Sequence, residues 1–198
     1  LSSAFVLIFG TALILPSIQA FGKKSLSTSH FMGVGFGIVI SSILVTFLGE
    51  LGFHWYDLWI GVAMLSVILA VPIFICTPNE ILQHSYSQNS DCKNNFSFSL
   101  ISISYGLYGF GYVILGTFIS AMARETSGLE ATEMYVWLLV GLAGIPMVIF
   151  WPWFGKKIGN DLALFLACAI MGLGVLMPVL LENKVGITSA SILLGSTF

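Results

Sequence analysis

Charge is scarce in this chain, which has 7 Lys and Arg and 9 Asp and Glu among 198 residues, or 8% of the total. Soluble globular domains carry about a quarter of their residues as these four types, so the composition argues against a water-soluble fold. The few basic residues are dispersed and form no cluster that could neutralise a phosphate backbone. We therefore expect no nucleic acid partner.

Residue patterns that support catalysis or metal binding are also missing. The chain has no HExxH, CxxC or GxSxG motif. Its three histidines lie in or beside predicted loops, and its three cysteines show no pairing pattern, so free thiols are expected. We expect no catalytic residue, no bound metal, no cofactor and no enzyme activity.

Long apolar runs fill the sequence instead. Hydrophobic residues make up 57% of the chain, and runs of roughly 20 residues, the length that crosses a bilayer as a helix, recur with almost no charge inside them. Barrel strands alternate polar and apolar residues, whereas these runs are continuously apolar. The sequence predicts an all-α, polytopic integral membrane protein, a fragment of a larger one whose first and last spans are truncated. The seven spans are Leu1–Ala20, Phe31–Leu48, Trp55–Cys76, Phe96–Ala123, Met134–Phe154, Leu162–Leu181 and Gly186–Phe198.

One long polar connection divides these spans into two groups. Residues 77–95 (TPNEILQHSYSQNSDCKNN) are rich in Asn, Ser and Gln, a composition typical of a linker. Residues 1–76 are then interpreted as the end of an N-terminal bundle with three spans. Residues 96–198 are interpreted as the start of a C-terminal bundle with four spans.

Lysine and arginine are unequally divided between the two sets of alternate connections, which predicts the orientation in the membrane. Five lie on one side and two on the other, and the excess of basic residues marks the cytoplasmic side. The linker 77–95 is therefore predicted to be cytoplasmic. The five are Lys23, Lys24, Lys93, Lys156 and Lys157, and the two are Arg124 and Lys184.

Small residues thin two of the spans. Gly33, Gly37 and Ser41 recur every four residues, so they share one face of the second span, and Gly141 and Gly144 thin the fifth span. Such residues let another helix backbone approach closely. Generic packing is one interpretation of these positions. The other is that thin helices slide or rock against their neighbours.

Three tyrosines form the most distinctive polar feature. Tyr105, Tyr108 and Tyr112 are spaced three and four residues apart, so they share one face of the fourth span. If that face lines a water-filled cavity, the rings can stack on a ligand and the hydroxyls can bond it; if it meets packed protein, the hydroxyls bond neighbouring backbone. The interleaved glycines would expose backbone to a ligand and favour a substrate cavity.

Ionisable side chains are absent from the spans away from their ends. A proton-driven carrier usually keeps at least one such group at membrane depth. Either a coupling proton binds in another part of the protein, or the protein does not couple to one.

The fourth span also resembles a known family. The segment ISYGLYGFGYVILGTFISAMAR (103–124) resembles the seventh helix of major facilitator superfamily proteins of the YbfB/YjiJ type, in which a Tyr-Gly-x-x-Gly-Phe-Gly-Tyr pattern precedes Thr-Phe and Ala-Arg. Four other stretches are similar to helices of that family in the same order. SSAFVLIFGTALILP is similar to the fourth helix, HFMGVGFGIVIS to the fifth, FHWYDLWIGVAML to the sixth and LLGSTF to the tenth. The resemblance implies helices four to ten of a twelve-helix transporter.

A further stretch, FGKKIGN (154–160), is similar to the cytoplasmic loop between helices eight and nine of the superfamily. Gly155, Lys157 and Gly159 match that motif in kind. Lys156 replaces its Asp, and Asn160 replaces its final Arg.

The resemblance implies a secondary transporter that moves a small organic solute by alternating access in the bacterial inner membrane, and efflux is one direction that it allows. Its expected partners are the lipid bilayer and the solute, and a coupling proton is a further candidate. In such carriers helices one, four, seven and ten line the cavity, and helices five and eight meet at the interface of the two bundles. A membrane-embedded enzyme, a sensor or a scaffold is the alternative.

Two site assignments follow from the resemblance. It implies that the tyrosine face of the fourth span lines the substrate cavity. It also implies that the face formed by Gly33, Gly37 and Ser41 packs on the fifth span near Gly141 and Gly144.

Overall fold

A computed structural model of the protein describes residues 8–12, 14, 18, 25–76, 95–125, 128 and 133–197. These residues form helices and short connections, with no strand among them. Five helices are long and apolar enough to cross a membrane, which confirms the all-α, polytopic membrane class. The helices with described bounds are α1 (Ser25–Glu50), α2 (Trp55–Cys76), α3 (Asn95–Glu125), α4 (Glu133–Ile158), α5 (Asn160–Leu180) and α6 (Lys184–Ser196).

Some predicted features lie outside the described residues. They are most of the first span, the lysines at positions 23, 24 and 93, and the predicted linker 77–95 apart from Asn95, at which α3 begins. The other six spans correspond to α1 to α6 in order. Helices α1, α3 and α4 extend beyond the apolar runs, because a helix continues through the polar residues at its ends.

Local sequence explains where several helices begin and end. Helix α1 ends in the two backbone hydrogen bonds of a Schellman motif around Gly52, whose φ is 78°. Helix α2 begins just after it, where the Asp57 carboxylate accepts a hydrogen bond from the backbone N–H of His54. At the start of α6, the side chain of Asn183 accepts a hydrogen bond from the backbone N–H of Gly186.

The stretch 154–160 is helical rather than a loop, contrary to the sequence-based expectation. Helix α4 continues to Ile158 and α5 begins at Asn160, so Gly159 alone links them. Its φ of 93° lies in the left-handed region, which glycine adopts without the steric cost of a Cβ. The matching Gly155 is buried in the last turns of α4, where a Cβ would lie 2.9 Å from Oδ1 of Asn160.

The main hydrophobic core lies between α3, α4, α5 and α6. Each of the four helices contributes side chains to it, and Tyr108 and Tyr112 pack against its edge. These four helices therefore form one packed body. The core side chains are Leu115, Ile119 and Ala123 from α3, Val136 and Val140 from α4, Met171 from α5, and Ile187, Ala190 and Leu194 from α6.

Helix α4 is the central helix of the described part of the chain. It packs on α1 along one side and on α6 along another. Helix α2 contacts α1, and none of the residues of its apolar stretch Trp55–Pro72 is buried. The predicted N-terminal bundle thus meets the C-terminal bundle through the contact between α1 and α4.

Candidate functional site

Helices α1 and α4 touch through glycines. A Cβ at Gly35 would lie 2.8 Å from Cγ1 of Ile145 and 3.5 Å from the carbonyl oxygen of Gly141. A Cβ at Gly141 would lie 2.8 Å from Cγ2 of Val39 and 3.0 Å from the backbone nitrogen of Val39. Neither position has room for a side chain, so the two backbones approach directly, as small residues allow in membrane helices.

The contact does not use the predicted face of α1, and this part of the expectation is wrong. Gly33 and Gly37 are exposed, and a Cβ at either would meet nothing within 4 Å. Ser41 lies beside a cavity next to the contact. Glycines thin α1 on two faces. The face of Gly35 contacts α4 because Val39 on that face packs over the backbone of α4.

On the α4 side, both predicted glycines are buried. Gly141 lies against α1, as described above, and Gly144 one turn later is buried as well. The same helix is approached from its opposite side by α6, where a Cβ at Gly195 would overlap the carbonyl oxygen of Val140 and lie 2.9 Å from Cβ of Ala143. Helix α4 therefore has a direct backbone contact on each side.

The three tyrosines of α3 form a continuous row along one helix face. The ring centroids of Tyr105 and Tyr108 are 6.4 Å apart, and those of Tyr108 and Tyr112 are 6.5 Å apart. Exposure decreases along the row: Tyr105 is 71% exposed, whereas Tyr108 and Tyr112 are half-buried against the core. The row therefore runs from an open surface into the contact between α3 and α6.

Two side chains bond the backbone at the end of α6. The hydroxyl of Tyr108 donates a hydrogen bond to the carbonyl oxygen of Thr197. The indole Nε1 of Trp151 in α4 donates to the carbonyl oxygen of Ser196 at 2.7 Å. These two hydrogen bonds tie α3 and α4 to α6.

A cavity of about 570 Å³ lies between α1, α2, α3 and α4. Its walls come from the second half of α1, the first half of α2, the last turns of α3 and the first turns of α4. All of these lie at the end of the helices that is predicted to be extracytoplasmic. Its polar lining comes from Ser41, Ser42, Thr46, Ser120 and Glu133, and its aromatic lining from Trp55, Trp59 and Trp137.

An ion pair lies at one end of this cavity, where Glu133 is part of the lining. Nε of Arg124 donates to Oε2 of Glu133 at 3.0 Å, and Nη2 donates to Oε1. The pair joins the end of α3 to the start of α4. Arg124 is exposed and Glu133 is 26% exposed, so the pair lies at the surface, where two-pronged geometry makes it more persistent than a single contact.

The predicted cytoplasmic end of α4 has its own polar contact. Nζ of Lys157 lies 4.0 Å above the ring centroid of Trp153, a cation–π distance. Lys156 is exposed beside it. No group of three or more His, Cys, Asp or Glu that could hold a metal ion occurs among the residues that the structure describes.

Some of these features had no signal in the sequence. Nothing in the pattern distinguishes Trp151, which bonds α6, from Trp153, which does not. Arg124 and Glu133 are nine residues apart across a short connection. A basic residue at the end of one span and an acidic residue at the start of the next could have suggested that pair.

Residues 1–198 match the protein family described as "Uncharacterised MFS-type transporter YbfB". No curated protein and no solved structure matches the chain. The family match spans the whole chain and agrees with the helical, multi-pass fold described above. The chain therefore belongs to the YbfB family of major facilitator superfamily transporters.

Proposed function

We propose that the protein moves a small organic solute across the membrane by alternating access, and that the tyrosine row of α3 forms part of its solute site. The observation that carries the proposal is the placement of this row. It begins at the exposed ring of Tyr105 and ends in the contact between α3 and α6. The family's helices seven and ten, which these two resemble, line the cavity of such carriers.

The site chemistry is aromatic and neutral. Phenol rings offer flat apolar faces for stacking, and their hydroxyls offer directional hydrogen bonds. No Asp, Glu, Lys, Arg or His lies on α3 between Tyr105 and Tyr112. Such a site suits an uncharged or zwitterionic organic molecule with an apolar portion. A coupling proton, if one is used, would bind elsewhere, and either direction of transport, efflux included, is compatible with a neutral site.

The packing supports a rocking mechanism. Helices α3 to α6 share one core and would move as a unit, whereas α1 meets that unit chiefly through α4. The contact at Gly35 and Gly141 brings the two backbones close, with the side chains of Val39 and Ile145 seated against the glycines, and we propose it as the pivot between the helices. The protein would alternate between two orientations of α1 relative to the body formed by α3 to α6. The solute would shift this equilibrium by binding one orientation more tightly than the other.

Replacing Tyr108 tests the solute site. Phe at this position removes the hydroxyl and keeps the ring, so we expect solute affinity to fall about two- to twelvefold, the equivalent of about 0.5 to 1.5 kcal/mol for one hydrogen bond. Ala should cost more affinity because the ring is lost as well. A solute identified by an uptake screen in proteoliposomes, with and without a proton gradient, provides the assay.

The matched control is Tyr56→Phe on α2, which removes an equivalent hydroxyl far from the row. It should leave transport unchanged. Because the Tyr108 hydroxyl also bonds Thr197, thermal stability must be measured alongside. A Tyr108→Phe protein with a lower melting temperature and unchanged solute affinity would show that the tyrosine only packs α3 on α6.

The orientation in the membrane provides a second test. Lys156 at the end of α4 and Lys184 at the start of α6 lie at opposite ends of α5, and the lysine bias places the first in the cytoplasm. With Cys76, Cys92 and Cys168 replaced by Ser, single cysteines introduced at the two positions should differ in labelling. An impermeant thiol reagent applied to intact bacterial cells should label Lys184→Cys, and Lys156→Cys only after permeabilisation. The opposite pattern would invert the topology.

A further inference from the structure

The cavity between α1, α2, α3 and α4 is mainly apolar and is not enclosed. Apolar residues such as Ile38, Val45 and Val62 line most of it, and the exposed ring of Trp59 lies at its edge. The helices that line it are long and apolar enough to cross a membrane, so acyl chains are present at this depth. Because neither water nor vacuum is favourable against apolar walls in hydrocarbon, an apolar chain is the occupant that the walls favour.

The charged groups lie at one end of the cavity, whereas hydroxyls of Ser41, Ser42 and Thr46 line its α1 wall. Glu133 lines the cavity directly, and Arg124 lies one helical turn beyond the lining residue Ser120 and is paired with Glu133. Arg124 uses two of its five N–H donors in this pair, and each carboxylate oxygen keeps further acceptor capacity. The end of the cavity therefore presents an anion-binding group and a cation-binding group side by side.

A zwitterionic phospholipid headgroup has the complementary pair of charges. Its phosphate can accept hydrogen bonds from the free N–H groups of Arg124, as guanidinium groups commonly donate to phosphates. A primary ammonium on the same headgroup can donate to the carboxylate of Glu133. A trimethylated ammonium has no N–H and cannot make that second bond.

Tryptophans lie where such a headgroup would meet the acyl chains. Trp55 and Trp59 on α2 and Trp137 on α4 line the cavity in the same half of the helices as the ion pair. Indole rings prefer this interfacial depth because one edge is polar and the rest is apolar. The order along the cavity is therefore charged pair, indoles and apolar wall, which is the order of headgroup, glycerol region and acyl chain in a phospholipid.

We propose that this cavity binds one phospholipid with a primary-amine zwitterionic headgroup, the phosphate on Arg124, the ammonium on Glu133 and an acyl chain along the wall between α1 and α4. The lipid fills the space beside the glycine contact of the two bundles. This lipid site is separate from the tyrosine row, so its test does not depend on the outcome of the test of the solute site.

Native mass spectrometry of the purified full-length protein tests the site. The protein is delipidated in detergent and titrated separately with phosphatidylethanolamine, phosphatidylcholine and phosphatidylglycerol of identical acyl chains. We expect one phosphatidylethanolamine to bind about tenfold more tightly than phosphatidylcholine, the ratio for a hydrogen bond to a charged group. Glu133→Gln should abolish this preference, whereas Glu182→Gln, which removes an acid elsewhere on the same side, should keep it.

A second variant distinguishes a lost lipid site from misfolding of the Glu133→Gln protein. Ser120→Phe leaves the ion pair in place and puts a ring into the cavity, so it should weaken all three lipids alike while the melting temperature stays near that of the wild type. Equal affinity for phosphatidylethanolamine and phosphatidylcholine would overturn the proposal, as would Glu133→Gln keeping the preference. A protein dimer that forms in place of the lipid complex, or lipid binding unaffected by Ser120→Phe, would also overturn it.

Discussion

Replacing Gly195 with alanine should destabilise the protein by about 2 kcal/mol. A Cβ at this position would overlap the backbone carbonyl oxygen of Val140 and lie 2.9 Å from Cβ of Ala143. A backbone atom cannot rotate away as a side chain can, so α4 and α6 must separate. Overpacking of this kind costs about 1 to 3 kcal/mol, and we expect the upper end here, with about 1 kcal/mol returned by the better helix propensity of alanine.

Gly172→Ala on α5 is the matched control. It is a glycine in the same four-helix body, but a Cβ there would meet nothing within 4 Å, so the substitution should leave stability equal or slightly higher. Thermal or chemical unfolding of both variants in the same detergent measures the difference. Equal melting temperatures for Gly195→Ala and the wild type would show that α6 does not pack on α4 as closely as described.

Leucine at Gly141 should separate the two bundles and reduce transport. A Cβ at Gly141 would already lie 2.8 Å from Cγ2 of Val39 and 3.0 Å from the backbone nitrogen of Val39, before the rest of the side chain is added. We expect a loss of about 1 to 3 kcal/mol in stability. Transport should fall further than stability alone explains, because this contact is the proposed pivot between α1 and the four-helix body.

The matched control is the same substitution at Gly37, one of the glycines that the sequence pattern favoured for this contact. Gly37 is exposed and a Cβ there would meet nothing within 4 Å, so Gly37→Leu should fold and transport like the wild type. Transport rates in proteoliposomes at matched protein content decide between them. If Gly37→Leu lost transport and Gly141→Leu kept it, α1 would contact α4 through the face of Gly33 and Gly37, as predicted from the sequence.

These two glycine contacts have different consequences because of what they join. The contact at Gly195 lies within the core formed by α3 to α6, so its loss should affect the folding of that body. The contact at Gly141 joins the body to α1, whose other described neighbour is α2. A variant that affects transport more than unfolding is therefore expected at Gly141 rather than at Gly195.

Residue spacing predicts only part of the arrangement of the tyrosine row. Intervals of three and four residues on a helix place side chains on one face, so Tyr105, Tyr108 and Tyr112 were correctly expected to lie together. Spacing does not say what that face meets. In the structure the row is open at Tyr105 and reaches the end of α6 at Tyr108, whose hydroxyl bonds Thr197. The packed alternative therefore describes Tyr108, and the substrate cavity stays a prediction.

The cavity and its ion pair arise from four helices that are separated in sequence. Ser42 on α1, Trp59 on α2, Ser120 on α3 and Trp137 on α4 line one space. No periodicity links them, because each position is set by the length, tilt and rotation of its own helix. The phospholipid proposed for this space could therefore not have been inferred before the helices were placed.

The sequence by itself determined the class of the molecule, the order of its spans and its family, since each depends on composition, on apolar runs of bilayer length or on a local motif such as that of residues 103–124. The tertiary structure alone decided which face of α1 meets α4. Two faces of that helix are thin enough for close contact. The choice of Gly35 over Gly33 and Gly37 depends on helix rotation, which follows from the shape of neighbouring side chains such as Val39 and not from the spacing of small residues.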